Sequence, residues 1–173
     1  MSKGLILLES QTATNASEIS LGASNWSTSY NHYIVKWANT SFSADGTLFR
    51  MRVLVGSTAQ TTALYNQASA VISSVNVYGE HHQSYAAFTL SYNNQGNATG
   101  ETASGELLLG KFNESTHYPM WFGQWVNVRD TGEVQSKFGG GSYYNAQTNN
   151  GVAFYTTSGT FSGDFELYGI FKS

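Results

Sequence analysis

The chain contains no cysteine and only one proline among its 173 residues. The absence of cysteine excludes a disulfide framework and any metal site built on thiolates. Charged residues make up only 11% of the chain, against roughly 25% in ordinary soluble domains. The net charge is −3, and the eight Lys and Arg residues form no cluster. This balance argues against a nucleic-acid partner, because phosphate binding needs a basic patch.

Long apolar runs are missing near the start of the chain. The run Leu5–Leu8 follows Lys3 and ends at Glu9. Four residues are too few for a signal-peptide core or a membrane span. We therefore expect a protein that is made in a cytoplasm, with no export signal and no membrane span.

Small polar and aromatic residues take the place of the missing charges. The chain is 40% hydrophobic and 14% aromatic, which is enough for a sizeable core. Its surface must then be built from Ser, Thr, Asn, Gln, Gly and Tyr. Such a surface costs little to desolvate, which suits assembly with other proteins or contact with glycans. The length is natural for one domain, spanning residues 1–173.

Apolar and polar residues alternate in the C-terminal segment "SGTFSGDFELYGIFKS". Its odd positions include Phe161, Phe165, Leu167 and Phe171. A period of two is typical of a strand with one face in a core and the other in water. Burying each of these side chains contributes roughly 1.5–3 kcal/mol. We therefore expect a core strand here, whose removal unfolds the protein.

The same period recurs along most of the chain, and turn-forming residues separate the segments. Asp45-Gly46 and Asp130-Thr131-Gly132 are predicted hairpin turns. The segment Thr58–Ser74 is ambiguous between a short helix and a long loop that leads to a strand. The run Gly139–Gly141 predicts a bulge or a tight strand crossing. The other predicted strands are Ser17–Leu21, Tyr33–Asn39, Thr47–Val55, Tyr85–Tyr92, Gly105–Phe112, Met120–Val128 and Gly151–Thr157.

Many short strands divided by turns predict an all-β fold. The expected architecture is a jelly-roll-like antiparallel β-sandwich with little or no helix. No parallel-sheet α/β pattern competes with it, and no internal repeat or linker divides the chain.

Residues that could carry catalysis or bind a metal are sparse. His81 and His82 are adjacent, so on a strand they point to opposite faces and cannot chelate one ion together. Asp164 and Glu166 share a strand face at a spacing that a glycosidase could use, but the outer face of any sandwich carries such pairs. We expect no metal, no other cofactor and no enzymatic activity. A polysaccharide depolymerase using Asp164 and Glu166 is the least favoured alternative.

Aromatic residues are concentrated in the segment "HYPMWFGQW", residues 117–125. Trp121 and Trp125 share a strand face, with Gly123 between them. They belong either to the core or a subunit interface, which is the favoured interpretation, or to a flat platform on which a sugar ring stacks. The candidate residues for a glycan or interface contact are Tyr118, Trp121, Trp125, Tyr143 and Tyr144.

Four segments of the chain stand in a characteristic order: "GLILLESQTATNASEISL", "YNHYIVKWANTSFSADGTLFRMRV", "ASGELLLGKFNES" and "SGTFSGDFELYGIFKS". An N-terminal strand, a Ser/Thr/Asn-rich stretch and an aromatic strand are followed by a final strand reading roughly "G-x-(F/I)-x-L-Y-G-I-x-x". In this chain the final-strand pattern corresponds to residues 163–173. In this order and composition the chain resembles a family of small tailed-bacteriophage virion proteins. The resemblance covers most of the chain and is weakest over Thr58–Gly79.

The resemblance implies a jelly-roll-like domain displayed on a capsid or a tail, usually in oligomers, and it carries over no active-site residue. We therefore predict a non-enzymatic bacteriophage structural protein, located in the virion after assembly in the host cytoplasm. It would be a capsid decoration protein (head fibre or cement protein) or a small tail component. Its expected partners are other virion proteins and copies of itself, with a trimer as one arrangement. The alternative is a carbohydrate-binding module that recognises a host-surface glycan through an aromatic platform.

Overall fold

Strands dominate the computed structural model, which describes residues 4–91 and 94–171. One short 3-10 turn at Ala23–Asn25 interrupts them. The strands of this described part are β1 (Leu5–Ala16), β2 (Glu18–Gly22), β3 (Tyr30–Phe42), β4 (Phe49–Val55), β5 (Thr58–Ala59), β6 (Tyr65–Ser73), β7 (Val77–Tyr85), β8 (Phe88–Thr89), β9 (Thr102–Gly110), β10 (Met120–Val128), β11 (Val134–Tyr143), β12 (Gly151–Thr156) and β13 (Phe161–Phe171).

These strands form two antiparallel sheets. The larger sheet has the order β1-β13-β3-β9-β10-β11-β6-β7, and the smaller has the order β2-β12-β4-β5, with β8 paired to β4. The chain alternates between the sheets from β1 to β4, crosses again from β5 to β6, from β7 to β8 and from β8 to β9, and alternates once more from β11 to β13. This alternation is the connectivity of a jelly roll, and it confirms the predicted antiparallel β-sandwich. The strands β10, β11, β6 and β7 extend the larger sheet beyond the part that follows this pattern.

Alternating apolar side chains bring the two sheets together. On β3 the inward residues are Tyr33, Val35 and Trp37, each at most 2% exposed. From the smaller sheet, Phe154 stacks on Phe49 with ring centroids 5.7 Å apart, and it also lies 5.7 Å from Trp37. These contacts bury large aromatic surfaces, so the hydrophobic effect holds the sheets face to face.

The C-terminal strand lies inside the larger sheet, between β1 and β3. Phe161, Phe165 and Leu167 are buried as the alternation predicts, at 1% exposure or less. Phe171 differs, because the register shifts between Ile170 and Phe171 and leaves this ring 43% exposed. The last two residues of the predicted C-terminal segment, Lys172 and Ser173, lie outside the described residues.

Two of the local predictions concern hairpins. The turn at Asp130-Thr131-Gly132 is confirmed: Gly132 has a φ of 76°, its N–H donates to Arg129 O at 2.9 Å, and β10 pairs with β11. The predicted hairpin at Asp45-Gly46 is wrong, because β3 and β4 belong to different sheets. Gly46 does have a positive φ of 74°, but its turn carries the chain across the sandwich.

The ambiguous and glycine-rich segments are extended. Thr58–Ser74 contains β5 and β6 rather than a helix. The run Gly139–Gly141 shows no bulge, since β11 pairs with both neighbours in unbroken register. Tight approach is nevertheless present: a Cβ at Gly140 would collide with the carbonyl oxygen of Trp121 on β10. The predicted strand Tyr85–Tyr92 is reduced to the two-residue β8, and Tyr92 lies outside the described residues.

Candidate functional site

Three of the five aromatic candidates lie in the core. Trp121 and Trp125 share a strand face as predicted, but that face points inward and leaves them 2% and 4% exposed. The Phe88 ring meets both indoles edge-on, at centroid distances of 5.4 and 5.8 Å, and Trp125 Nε1 donates to Leu90 O. Tyr143 is 1% exposed and packs 4.7 Å from Tyr65. The sugar-platform interpretation is therefore wrong for these three side chains, because none of them reaches the surface.

Tyr118 and Tyr144 are the two candidates that remain on the surface. They are 47% and 51% exposed. Their rings stack in parallel, with centroids 5.0 Å apart and an interplanar angle of 10°. A stacked pair of half-exposed tyrosines forms a rigid apolar ledge with polar hydroxyl tips.

The opposite face of β10 carries three large apolar residues that were not among the predicted contact residues. Met120, Phe122 and Val126 point away from the core and are 53%, 63% and 41% exposed. The period of two that buries the tryptophans must place these residues outside. Three large apolar side chains on the solvent face of one strand are unusual in a monomeric protein.

Strand register extends this apolar surface across the larger sheet. Phe122 lies opposite Leu108, which lies opposite Ile34 on β3. Ile34 in turn lies opposite Tyr168, and Tyr168 lies opposite Leu7 on β1. Leu7 is 51% exposed, and the three middle residues are partly exposed. We call this row of five side chains, one from each of five neighbouring strands, the outer band.

A shallow apolar groove crosses one end of the outer band. It has a volume of about 490 Å³ and lies between Phe122 and Phe138, with Gly123 and Gly139 among its lining residues. A Cβ at Gly123 would collide with the carbonyl oxygen of Glu106 on the neighbouring strand. Glycine is therefore required at this close approach between β10 and β9.

Charged residues border the outer band on one side. The next row of the same face contains Glu106, Lys36 and Glu166, which are opposite one another on β9, β3 and β13. Lys36 Nζ lies 3.8 Å from Glu106 Oε2, and Tyr168 donates a hydrogen bond of 2.6 Å to Glu166. An apolar strip with a polar margin is the usual anatomy of a protein–protein interface.

The two acidic residues weighed as a catalytic pair are on this solvent face. Asp164 accepts a hydrogen bond of 2.9 Å from Thr12, and Glu166 accepts the one from Tyr168. The hydroxyl of Tyr168 loses a favourable contact when it ionises beside Glu166, which raises its pKa. Asp164 thus contacts the neighbouring strand β1, whereas Glu166 contacts a residue of its own strand β13.

His81 and His82 point to opposite faces, as the sequence predicts. His82 faces inward, where its Nε2 lies 2.7 Å from Glu80 Oε1. Glu80 also forms an ion pair of 2.5 Å with Lys137, whose side chain is fully buried. Burial lowers the pKa of Lys137, and Glu80 partly counters that shift. Over residues 4–91 and 94–171, no group of three or more His, Asp or Glu side chains is placed to hold a metal ion.

The described part of the chain contains no helix with the length and hydropathy needed to cross a lipid bilayer. Comparisons with protein-family models, with curated proteins and with solved structures find no match to this chain. The resemblance to bacteriophage virion proteins therefore stays a prediction.

Proposed function

We propose that this protein is a non-enzymatic structural component of a bacteriophage virion. Within that class we propose a capsid decoration protein or a small tail component. The observation that carries the proposal is the outer band, a continuous apolar surface on the solvent side of the larger sheet. Such a surface favours assembly with other proteins, because covering it removes apolar side chains from water and so lowers the free energy.

The free-energy gain from covering the outer band is substantial. Burying an exposed Phe, Leu or Ile side chain contributes roughly 1.5–3 kcal/mol. Phe122 and Leu7 are more than half exposed, and three partly exposed neighbours join them. Together they provide several kcal/mol, part of which offsets the entropy lost on association.

The low charge of the chain supports the same conclusion. Only 11% of residues are charged, so few ions need to be desolvated when two surfaces meet. The Lys36–Glu106 pair at the margin is already neutral as a unit. The proposed partners are other virion proteins and further copies of this chain, docked on the outer band.

The experiment is a comparison of particles that carry and lack this protein. We expect particles of a deletion mutant to lose a discrete density in cryo-electron microscopy and one protein band on a gel. Particles complemented with Phe122→Ser should show the same loss, because the substitution weakens docking while leaving the monomer folded. Val55→Ser, an exposed apolar residue on the smaller sheet, is the matched control and should restore the density.

Particles that keep every density and every protein band after deletion would contradict the proposal. Retention of full occupancy by folded Phe122→Ser protein would contradict the role of the outer band.

A further inference from the structure

A second depression lies on the same face of the larger sheet, near the edge strand β7. This edge cleft has a volume of about 650 Å³, which is in the range of sites that bind small molecules. Its floor is low because Gly140, Ala68 and His81 are opposite one another on β11, β6 and β7, and the first two carry little or no side chain. The cleft is therefore an open trough between β10 and the edge of the sheet.

Polar side chains with free hydrogen-bonding capacity line the edge cleft. Asn66 Oδ1 accepts a hydrogen bond of 2.8 Å from the Ser84 N–H, which fixes its amide, and within the described residues its Nδ2 has no acceptor. Ser142 Oγ donates to Pro119 O at 2.9 Å and keeps its lone pairs available. Gln83 is exposed at the rim. These groups offer both donors and acceptors to a ligand.

The apolar wall of the edge cleft is Tyr144. Its ring is half exposed and stacks on Tyr118. The backbone N–H of Tyr144 donates a hydrogen bond of 2.9 Å to Leu64 O. A ring held on one side by another ring loses little conformational freedom when a ligand binds. Met120 adds a second apolar surface from β10.

The edge cleft carries no permanent charge. No Asp, Glu, Lys or Arg is among its described lining residues. A charged ligand would lose hydration without gaining an ion pair, so the lining favours a neutral one. A flat apolar ring beside amide and hydroxyl groups matches a molecule with C–H faces and many hydroxyls.

We propose that the edge cleft binds a neutral oligosaccharide. One sugar ring packs against Tyr144, while its hydroxyls meet Asn66, Gln83 and Ser142. This site is separate from the outer band and differs from the tryptophan platform, whose indoles are buried. Glycan binding here goes beyond the structural role proposed above and does not depend on it.

The test is saturation-transfer NMR on the purified full chain, with soluble hexasaccharides as probes. The neutral probes are maltohexaose, cellohexaose, N-acetylchitohexaose and mannohexaose, and the charged probe is an oligogalacturonate. We expect transfer to at least one neutral probe and none to the charged one. Titration should then show that Tyr144→Ala and Gln83→Ala each weaken binding by about tenfold or more.

Tyr155→Ala is the matched control, since it removes a partly exposed tyrosine from β12 of the smaller sheet, outside the cleft, and should leave sugar affinity unchanged. Thermal unfolding of each variant verifies the fold. The proposal is overturned if no neutral probe gives transfer, or if folded Tyr144→Ala and Gln83→Ala bind as the parent does. Binding of extended peptides along β7 in place of sugars would also overturn it.

Discussion

On β10, side chains at odd-numbered positions face the core and side chains at even-numbered positions face the surface. Trp125 is buried and Phe122 is exposed, although both are large aromatic residues three positions apart on one strand. We expect Trp125→Ala to lower the free energy of unfolding by about 3–5 kcal/mol, because it leaves a cavity and removes the hydrogen bond to Leu90. Phe122→Ala should lower it by less than about 1 kcal/mol. Urea unfolding of the two variants measures both values, and equal losses would contradict the assignment of faces.

Tyr65 links two parts of the core through its hydroxyl. It donates to Gln60 O at 2.8 Å and accepts from the Val53 N–H at 3.1 Å. Burial raises the pKa of Tyr65 well above its ordinary value of 10.0. At neutral pH, Tyr65→Phe should cost about 1–3 kcal/mol, since it leaves both backbone groups without a partner.

The cost of Tyr65→Phe should depend on pH. Below the ordinary pKa the hydroxyl is protonated in both states and contributes fully to stability. Above that value the unfolded chain ionises first, so the parent loses this contribution as the pH rises towards the folded pKa. Urea unfolding at neutral and strongly alkaline pH should therefore show the cost shrinking. A constant or growing cost would refute the raised pKa.

At the scale of strands, glycine sets how closely neighbours can approach. Gly123 faces the Glu106 carbonyl so tightly that a methyl group must displace the backbone, whereas a Cβ at Gly79 on β7 meets nothing within 4 Å. We expect Gly123→Ala to lower the free energy of unfolding by about 1–3 kcal/mol through overpacking. Gly79→Ala is the matched control and should be neutral or slightly stabilising. Chemical denaturation of both variants measures the difference, and similar stabilities would disprove the close approach.

The strand β13 joins the first and third strands of the larger sheet. It pairs with β1 along one edge and β3 along the other, and it buries Phe161, Phe165 and Leu167. A chain that ends at Ser158 should therefore lack cooperative unfolding and native near-ultraviolet circular dichroism. Deletion of the β6–β7 hairpin tip, 74–76, is a milder control that should leave the fold intact. Native spectra from the shorter chain would show that the sandwich does not need this strand.

The strands with strict alternation could be predicted from sequence, and the others could not. Residues 120–128 form β10 with the predicted bounds, because the segment alternates from end to end. In β7 and β11 the large residues are few, and charged or glycine positions such as Lys137 face inward, so the apolar period is hidden. The sheet that β4 joins after the turn at Asp45-Gly46 could not be predicted either, because a turn sequence does not specify which sheet the next strand joins.

The candidate site was harder to predict than the fold. The size of their rings made Trp121 and Trp125 candidate contact residues. Alternation shows that the two lie on one face of a strand, but it does not show whether that face points to the core or to solvent. The outer band needs the register of five strands, and three of its four pairings join strands that are not consecutive in the chain. The edge cleft needs the small residues of β6 and β11 to lie side by side, which only pairing reveals.

At the scale of the whole molecule, a jelly roll is extended by additional strands that widen one sheet. The sandwich core accounts for folding, and the widened sheet presents both the outer band and the edge cleft to solvent. Under the proposed function, the large apolar residues of the outer band would become buried on assembly.

Hydroxyl-radical footprinting of intact particles measures that burial directly. We predict that Phe122 is labelled weakly in the particle and strongly in isolated monomer, while Tyr144 in the edge cleft is labelled strongly in both. Phe154, which is fully buried in the sandwich, gives the background level. Labelling of Phe122 in the particle as strong as that of Tyr144 would contradict the account.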